Sequence, residues 1–360
     1  MKIMVAMSGG VDSSAAVAFL LQQGHEVAGA TFLLCEPLSL SPEEAAKHSP
    51  AVRDAKDICT QLGIPHYTLD LRCRFEEKVR LPFVEGYLAG TTPNPCVDCN
   101  KYIKFPAFWD FAREKGYDRI ATGHYAFISR GEDGISRLKK AHSLEKDQSY
   151  MLYNLTGELL NCIELPLGSY TKGEIRAFAA ELGLAVSTKP DSQDICFIPD
   201  KNAGSYIASY LEQMGISLPA GSFIDSEGKE LGPHKGIWNY TLGQHKKLGI
   251  ALGSPRYVSA IDPAKNTVTL VENEQLIFSK IAFARDVNLL HPNEYPGKFR
   301  ANVKPRYGKR EAAAVIYPPE DNSGLFCVEF EEPQRALTPG QSLVFYNGDE
   351  LIGGGVCVLK

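Results

Sequence analysis

Ser8-Gly9-Gly10-Val11-Asp12-Ser13-Ser14 closes one apolar run and opens another with helical spacing, and the fold is read outward from that junction. Before it, Lys2-Ile3-Met4-Val5-Ala6-Met7 is the short apolar run of an interior parallel strand. After it, Ala15, Ala16, Val17, Phe19, Leu20 and Leu21 space as a helix that Gly24 ends. Two glycines between strand and helix let the backbone approach a ligand closely and turn its N–H groups toward it. The helix N-terminus adds the positive end of a dipole, so the turn is an anion cradle, and Asp12 beside it can offer oxygens to Mg²⁺. The G-x-x-x-x-G-K-[ST] spacing and its lysine are absent, so this is no Walker A loop. A plain strand–turn–helix corner is the alternative, against which position, spacing, the acid and the serine pair weigh together.

Strands and helices then alternate. Glu26–Leu34, with Val27 and Phe32, reads as a second strand, and residues 36–50, with prolines, serines and paired acids, read as a surface loop. Val52–Leu62 has helical spacing up to Gly63, Pro65–Leu71 reads as a strand, and Phe75–Leu88 as an amphipathic helix running into Gly90. A helix over Phe105–Lys115 and a strand over Arg119–Thr122 follow. This alternation predicts a doubly wound parallel sheet with its ligands at the carboxyl ends of the strands, where Ser8, Phe32 and Gly123 fall. Ala126–Lys140 reads as a hairpin around Gly131-Glu132-Asp133-Gly134, and Gln148–Leu155 and Lys172–Leu182 as helices. The α/β pattern stops near Pro199. From about 200 to 272 the pattern is irregular and glycine-rich, with Gly236-Ile237-Trp238-Asn239-Tyr240-Thr241-Leu242-Gly243-Gln244-His245 at its centre. Short β-rich runs at Val268–Val271, Phe299–Val303, Ala313–Tyr317, Leu325–Phe330, Ser342–Tyr346 and Gly354–Leu359 suggest a small antiparallel barrel. Three domains are expected: 1–200, 201–272 and 273–360.

With 44% hydrophobic and 22% charged residues in 360, the chain has an ordinary globular composition. No apolar run is long enough to span a bilayer and no leader pattern precedes Ser8, so a cytoplasmic protein without a membrane partner is expected. In that compartment nine cysteines argue for thiol chemistry or metal ligation rather than structural disulfides.

Two cysteine stretches stand out. Thr92-Pro93-Asn94-Pro95-Cys96-Val97-Asp98-Cys99-Asn100 holds a C-x-x-C in a proline-stiffened loop before a helix, and Asp191-Ser192-Gln193-Asp194-Ile195-Cys196-Phe197 flanks a third thiol with acids. Cys35, Cys59, Cys73, Cys162, Cys327 and Cys357 sit mostly within apolar patterns and read as small buried hydrophobes. A lone C-x-x-C suits a redox pair, half a zinc site or an iron–sulfur ligand. No second C-x-x-C or histidine pair completes a zinc site. The place a thioredoxin-like motif would take, after the first strand, belongs to the glycine loop. What remains is a thiol system beside activated nucleotide chemistry, in which a persulfide attacks an adenylated carbon and a second cysteine resolves the linkage by exchange.

The loop S-G-G-V-D-S-S resembles the pyrophosphate loop of ATP pyrophosphatases, which adenylate a substrate oxygen. Together with T-P-N-P-C-x-x-C-N-K-x-I-K-F, A-T-G-H-Y, K-D-Q-S-Y, D-S-Q-D-I-C-F-I, Y-T-L-G-Q-H-K-K-L-G and a late T-P-G-Q, it is similar to the tRNA-specific 2-thiouridylases, in motifs running from Ala6 to Gln341. The resemblance implies an adenine nucleotide alpha hydrolase-like sheet domain, a small central domain and a C-terminal barrel. It implies sulfur transfer to the wobble uridine in the anticodon loop of tRNA, with ATP and Mg²⁺ adenylating the uracil 2-carbonyl. The sulfur donor would be a cysteine desulfurase or a sulfur-relay protein. By the family's roles, Cys196 carries a persulfide, Cys99 is the nucleophile, and the two can form a disulfide. Ala6, Met7, Ser8, Gly9, Gly10, Val11, Asp12, Ser13, Phe32 and Gly123 would hold ATP, and Asn94, Pro95 and Cys96 would meet the target base. Lys146, Asp147, Gln148, Arg306, Tyr307 and Gln341 match tRNA contacts, with His124 near the target nucleotide. Two positions depart from many members: Phe32 stands for Met, and Cys96 for Asp. Cys96, Cys99 and Cys196 together resemble the subgroup proposed to hold a 4Fe–4S cluster with one open iron, which would bind sulfide in place of a protein persulfide. The persulfide route is the conventional assignment.

The formal charge of −5 advertises no nucleic acid, yet Lys298, Arg300, Lys304, Arg306, Lys309 and Arg310 fall within thirteen residues that contain no acid. Tyr307 among them can stack on a base, which favours phosphate contact over a merely solvated face. His234-Lys235 and His245-Lys246-Lys247 form a second basic cluster. His124, after a strand end, is either a packed core histidine or a site residue; Gly123 beside it favours the second. A rival function is another pyrophosphate-loop adenylating ligase or amidating synthetase, which would not need the three cysteines. A non-catalytic RNA-binding or iron–sulfur sensing protein would not need an intact Asp12 and serine pair.

Overall fold

A computed structural model describes residues 1–184, 195–320 and 323–359. The motif positions Asp191, Ser192, Gln193 and Asp194 lie outside them. Strand β1 (Lys2–Ala6) leads through the glycine turn into α1 (Val11–Gln22) and β2 (Glu26–Leu33). The expected loop at 36–50 contains α2 (Pro42–His48), started by a capping box between Ser41 and Glu44 with Pro42 at the first helical position. Then come α3 (Pro50–Gln61), β3 (His66–Asp70), α4 (Arg72–Phe75), α5 (Leu81–Leu88), α6 (Pro95–Cys99), α7 (Pro106–Glu114) and β4 (Arg119–Ala121). π-Helical turns at Glu76–Arg80 and Asn100–Lys104 join α4 to α5 and α6 toward α7, so the predicted helix over Phe75–Leu88 is interrupted. The hairpin β5 (Ala126–Arg130) and β6 (Ser136–Lys140) follows, then α8 (Gly157–Leu160), β7 (Ile163–Glu164) and α9 (Lys172–Glu181). Gln148–Leu155 holds only a short 3₁₀ turn at Ser149–Leu152.

The first sheet is wholly parallel, in the order β3-β2-β1-β4-β7. Alternate residues of β1 serve opposite faces. Met4 packs with Phe105, Phe108 and Ala112 around α7, and Ile3 and Val5 pack with α1, α3 and α9. Both faces are covered, which is why β1 reads as an unbroken apolar run. The order reverses between β1 and β4, and crevices for ligands form at such reversals.

The stretch expected to be irregular is ordered. It carries α10 (Ala203–Gln213) and a four-stranded sheet of β8 (Gly221–Ile224), β9 (Glu230–His234), β10 (Tyr257–Asp262) and β11 (Thr267–Val271), in the order β10-β11-β8-β9. The run Val268–Val271 therefore belongs to this sheet and not to the barrel. The barrel comprises β12 (Phe278–Leu289), β13 (Phe299–Lys304), β14 (Ala312–Tyr317), β15 (Phe326–Arg335), β16 (Ser342–Asn347) and β17 (Glu350–Val358). Pairing of β12 with β17 closes it into six antiparallel strands. β12 escaped the sequence reading because its ladder is interrupted by register shifts and only Ala282 and Ala284 of its residues are fully buried. The predicted hairpin forms, but it extends the barrel sheet: β6 pairs with β17 at Lys139 and Glu350. One core is shared between the first sheet and the barrel through Tyr150, Tyr153 and Tyr346, and another joins Cys99, Ile103 and Phe197 to Phe223 and Trp238. Among the described residues no helix is long and apolar enough to cross a membrane.

Candidate active site

The glycine loop sits at the carboxyl end of β1. Gly9 has φ of +68°, and a Cβ there would lie 2.9 Å from the Asp54 Cβ of α3, so both conformation and space demand glycine. The two serines knit the turn. Ser13 Oγ donates to the Gly10 carbonyl at 3.1 Å and accepts from the Ser8 N–H at 3.2 Å, while Ser14 Oγ donates to Gly10 at 2.8 Å. Gly123, after β4, presses on the same turn: a Cβ there would lie 2.9 Å from the Asp12 carbonyl carbon and the Ser13 nitrogen. Met7 and Val11 are buried anchors, and the Met7 N–H donates to Ala30 at 2.7 Å. Phe32, near the end of β2, packs edge-on against Phe108 with 5.1 Å between rings and keeps part of its surface open.

Asp12 faces Lys172 and Tyr125. The Lys172 ammonium lies 2.7 Å from each carboxylate oxygen, and the Tyr125 hydroxyl donates to Oδ1 at 2.7 Å. Thr171 caps α9 in a box with Glu174, which fixes Lys172 as the first helical residue aimed at the loop. Mg²⁺ at Asp12 fits only in competition with that ammonium, since both oxygens already have a donor.

The thiols lie beyond Gly123. Asn94 caps α6, its Oδ1 accepting from the Cys96 N–H at 3.2 Å, with Pro95 at the first helical position. The barrel clamps the approach to this helix: Gln341 Nε2 donates to the Thr92 carbonyl at 2.7 Å, and the Thr92 N–H donates to Pro339 at 2.8 Å. A cleft of about 350 Å³ opens between α5, α6 and the barrel, lined by Asn94, Asp98, Lys101, Arg285 and Ser342. Burial pushes the Asp98 carboxyl there up to about 6. Burial also raises the Cys96 thiol and pushes Cys99, only 5% exposed, up to about 12, with Lys104 opposing both. Cys196 goes the other way, to about 7: the Cys35 thiol donates a hydrogen bond to it, and Lys104 helps against the cost of burial. Burial disfavours the charge on Lys104, but the Cys99, Cys96 and Cys196 sulfurs outweigh it and its pKa is raised. Among the described residues no three His, Cys, Asp or Glu side chains are gathered closely enough to hold a metal ion, so Cys96, Cys99 and Cys196 do not stand as a ready-made ligand set.

His124 links the two halves. It follows Gly123, its ring lies 5.6 Å from that of Phe105, and Nδ1 is 2.7 Å from Thr122 Oγ1. Burial, aided by the charge of Lys104, lowers its pKa to about 3, so the imidazole is neutral. Gly123 thus touches the glycine loop, while His124 beside it feels the charge of Lys104, and Lys104 that of the three thiols.

The residues matched to tRNA contacts divide. Tyr307 is 44% exposed, 5.8 Å from the Tyr150 ring, and within electrostatic reach of Asp147, Lys146 and Cys96, so these segments meet at the mouth of the site. Arg306 is half-buried beside it, and Lys309 and Arg310 are exposed on the turn after β13, whereas Arg300 is paired with Glu331 at 3.2 Å. Asp147 is buried and accepts from the Ala141 and Ser149 N–H groups and the Ser149 hydroxyl. Gln148 Oε1 accepts from the Tyr125 N–H at 2.9 Å, and Gln341 is engaged with Thr92 as above. In the second basic cluster His234 is buried and accepts from the Gly236 N–H, leaving Lys235, His245, Lys246 and Lys247 on the surface.

Three residues were missed. Lys172 stood at the start of a predicted helix and Lys104 in C-N-K-x-I-K-F, neither with a role assigned; the capping box before the first and the motif position of the second were the available signals. Cys35 read as core but is exposed against Cys196, and Cys73 is exposed as well, while Cys59 and Cys357 are buried as expected.

Family models match nearly the whole chain in order: a tRNA methyl transferase HUP domain over 1–200, a tRNA methyl transferase PRC-barrel domain over 205–272 and an aminomethyltransferase β-barrel domain over 279–357. The tRNA-specific 2-thiouridylase MnmA of Acetivibrio thermocellus is 46% identical over 99% of this chain and 98% of its own. Those of Clostridioides difficile, at 44% over 99% and 97%, and Carboxydothermus hydrogenoformans, at 45% over 98% and 96%, are similar to the same extent. A solved 4-thiouridine synthetase–RNA complex with bound ATP shares 21% identity over 59% of this chain and 50% of its own at a TM-score of 0.38, too loose a likeness to carry an argument. The first model's description speaks of methyl transfer, but the relatives are named for thiolation, and a nucleotide-type loop beside converging thiols accords with the latter. With that identity over nearly its full length, the chain belongs to the tRNA-specific 2-thiouridylase family.

Proposed function

We propose that this protein converts the wobble uridine of tRNA to 2-thiouridine by adenylating the uracil 2-carbonyl with ATP and then delivering sulfur from a persulfide on Cys196. The observation that carries the reading is the contact of Gly123 with the glycine loop, next to a His124 that feels Lys104 and a Lys104 that feels the three thiols, which links an anion cradle to sulfur nucleophiles. Ala6 through Ser13 and Gly123 hold the nucleotide phosphates, with Phe32 beside the adenine. Asp12, whose carboxylate is held by Lys172 at rest, is the residue that would hold Mg²⁺, and the ion would offset the charge of the nucleotide phosphates. Adenylation makes the 2-oxygen a leaving group. The terminal sulfur of Cys196 attacks C2, AMP departs, and Cys99 attacks the Cys196 sulfur, freeing 2-thiouridine and leaving a Cys99–Cys196 disulfide. Asn94, Pro95 and Cys96 meet a base flipped out of the anticodon loop, and Lys146, Asp147, Gln148, Arg306, Tyr307, Gln341 and His124 border it. The units 201–272 and 273–360 carry the rest of the tRNA, in the cytoplasm, where a cysteine desulfurase or sulfur-relay protein supplies the sulfur.

The decisive test is mass analysis of tRNA incubated with the protein, ATP, Mg²⁺ and a sulfur source. One oxygen is exchanged for sulfur, and product is lost in C99S and C196S. Product formation by the C99S/C196S double variant favours an adenylating ligase or amidating synthetase instead. The 4Fe–4S alternative would call on the same Cys96, Cys99 and Cys196, which are not gathered as a ligand set. Anaerobic purification with iron and sulfide assays separates the two: colourless, iron-free, fully active protein supports the persulfide.

A further inference from the structure

Three motif segments meet at a residue to which the reaction above gives no part, the tyrosine of A-T-G-H-Y. Tyr125 is 3% exposed and packs in one cluster with Ala141, Leu167 and Ile175, so its ring and backbone move as one body. Its backbone is tied twice to Gln148 of K-D-Q-S-Y. The Tyr125 N–H donates to Gln148 Oε1 at 2.9 Å, and the Gln148 N–H donates to the Tyr125 carbonyl at 2.8 Å. Its side chain ends on the glycine loop, where the hydroxyl donates to Asp12 Oδ1 at 2.7 Å. Gln148 cannot shift without carrying Tyr125, because parting them would strand a buried N–H and a buried carbonyl. Tyr125 in turn cannot shift without changing how Asp12 is held, since its hydroxyl shares Oδ1 with the Lys172 ammonium. Gly123, two residues earlier, presses on the same loop. Just ahead of Gln148, a turn over Ser143–Lys146 lifts Leu144, 71% exposed, and Glu145 into solvent, where an RNA can press on it.

We infer that Tyr125 is a positioning residue that couples the two substrates: it sets the Asp12 carboxylate according to how Gln148 is seated, so that tRNA bound over Lys146–Gln148 tightens the nucleotide at the glycine loop. The inference rests on the placement of tRNA and ATP proposed above. Docking of tRNA fixes the Ser143–Gln148 segment, the paired backbone bonds fix Tyr125 with it, and the hydroxyl then holds Asp12 in one orientation before the nucleotide arrives. The ordering is done once, by whichever ligand binds first, and the second binds without that cost. Linkage requires the nucleotide to tighten tRNA by the same factor. Tyr125 touches neither substrate in this scheme; it acts through Asp12 on one side and through Gln148 on the other.

The test is calorimetry on the full chain with the α,β-methylene analogue of ATP, which cannot release pyrophosphate, titrated at constant Mg²⁺ with and without saturating unmodified tRNA. In the parent, tRNA is expected to tighten the analogue at least about fivefold, and the reverse titration is expected to return the same factor. Y125F keeps the ring and both backbone bonds and loses only the hydroxyl, so its factor is expected to fall below about twofold. A tyrosine that served only to stabilise the loop would change analogue affinity alike with and without tRNA and leave the factor as it was. A parental factor in Y125F therefore overturns the inference. Should Y125F not fold, Q148M decides: it removes the acceptor of the Tyr125 N–H from the other side, its factor at saturating tRNA is expected to fall, and a parental factor there overturns the inference. A parent that binds both ligands with a factor of one sinks the coupling alone. A parent that binds no tRNA or no analogue shows that the placement proposed above has failed, and the coupling with it.

Discussion

The Lys172 ammonium lies 2.7 Å from both carboxylate oxygens of Asp12, although one residue opens α9 and the other sits in the first turn of α1. The pair is partly screened from water, with side-chain exposures of 13% and 33%, so it lies between the weak surface case and the costly buried one. K172M is expected to destabilise the protein by about 1–2 kcal/mol, since among the described residues Asp12 then keeps the Tyr125 hydroxyl as its side-chain partner. It is also expected to raise the KM for ATP by roughly tenfold or more, because the loop's acid loses its restraint. Chemical denaturation and tRNA-dependent pyrophosphate release measure the two effects.

Gly123 is held by contact with backbone, which cannot step aside as a side-chain tip would. In G123A the new methyl falls 2.9 Å from the Asp12 carbonyl carbon and the Ser13 nitrogen. Relief of such overpacking costs about 1–3 kcal/mol and must shift the glycine loop. ATP binding by calorimetry is expected to weaken at least about tenfold while tRNA binding is retained.

His124 supplies a pH dependence. Its folded pKa of about 3, depressed by burial and by Lys104, lies below the ordinary 6.5, so between those values the unfolded chain binds a proton that the folded one refuses. Stability is therefore whole above pH 6.5 and falls as the medium is acidified, by about 2 kcal/mol at pH 5 for this group. Urea denaturation at pH 7 and pH 5 is expected to show a smaller acid loss for H124Q than for the parent.

Arg306 stands beside the exposed Tyr307 at the rim that Lys146 and Cys96 also reach. R306A is expected to weaken tRNA binding and to reduce the slope of log affinity against log salt by about one, the signature of a lost phosphate contact. ATP binding is expected to be retained. A salt titration with each protein checks both.

The parallel sheet was legible because β1 is buried on both faces and the glycine turn interrupts it at one place. The site's backbone was equally plain, since Gly9 and Gly123 answer to steric demands written into single residues. What stayed hidden depends on contacts distant in sequence. Nothing around Lys172 announces Asp12, 160 positions away. Lys104 becomes the cation of the thiol cluster only once the π-helical turn after α6 is formed. Cys35 has an apolar run before it, and the sequence does not say that the strand ends at Leu33, leaving the thiol outside the core. The central sheet was missed because its short strands, one of them Glu-Leu-Gly-Pro-His, alternate too briefly to be told from loop.

The β5–β6 hairpin leaves the sheet it follows in the chain and lines up along β17, where the Lys140 N–H donates to the Asp349 carbonyl at 2.8 Å. On a ribosome, residues 126–140 are made early and their sheet neighbour almost last, so the hairpin waits with an unpaired edge while most of the chain is still being made. A fragment cut at residue 200 inherits that bare edge permanently. Expressed alone, the nucleotide-loop half is expected to self-associate through it, and co-expression with the remaining residues is the natural remedy.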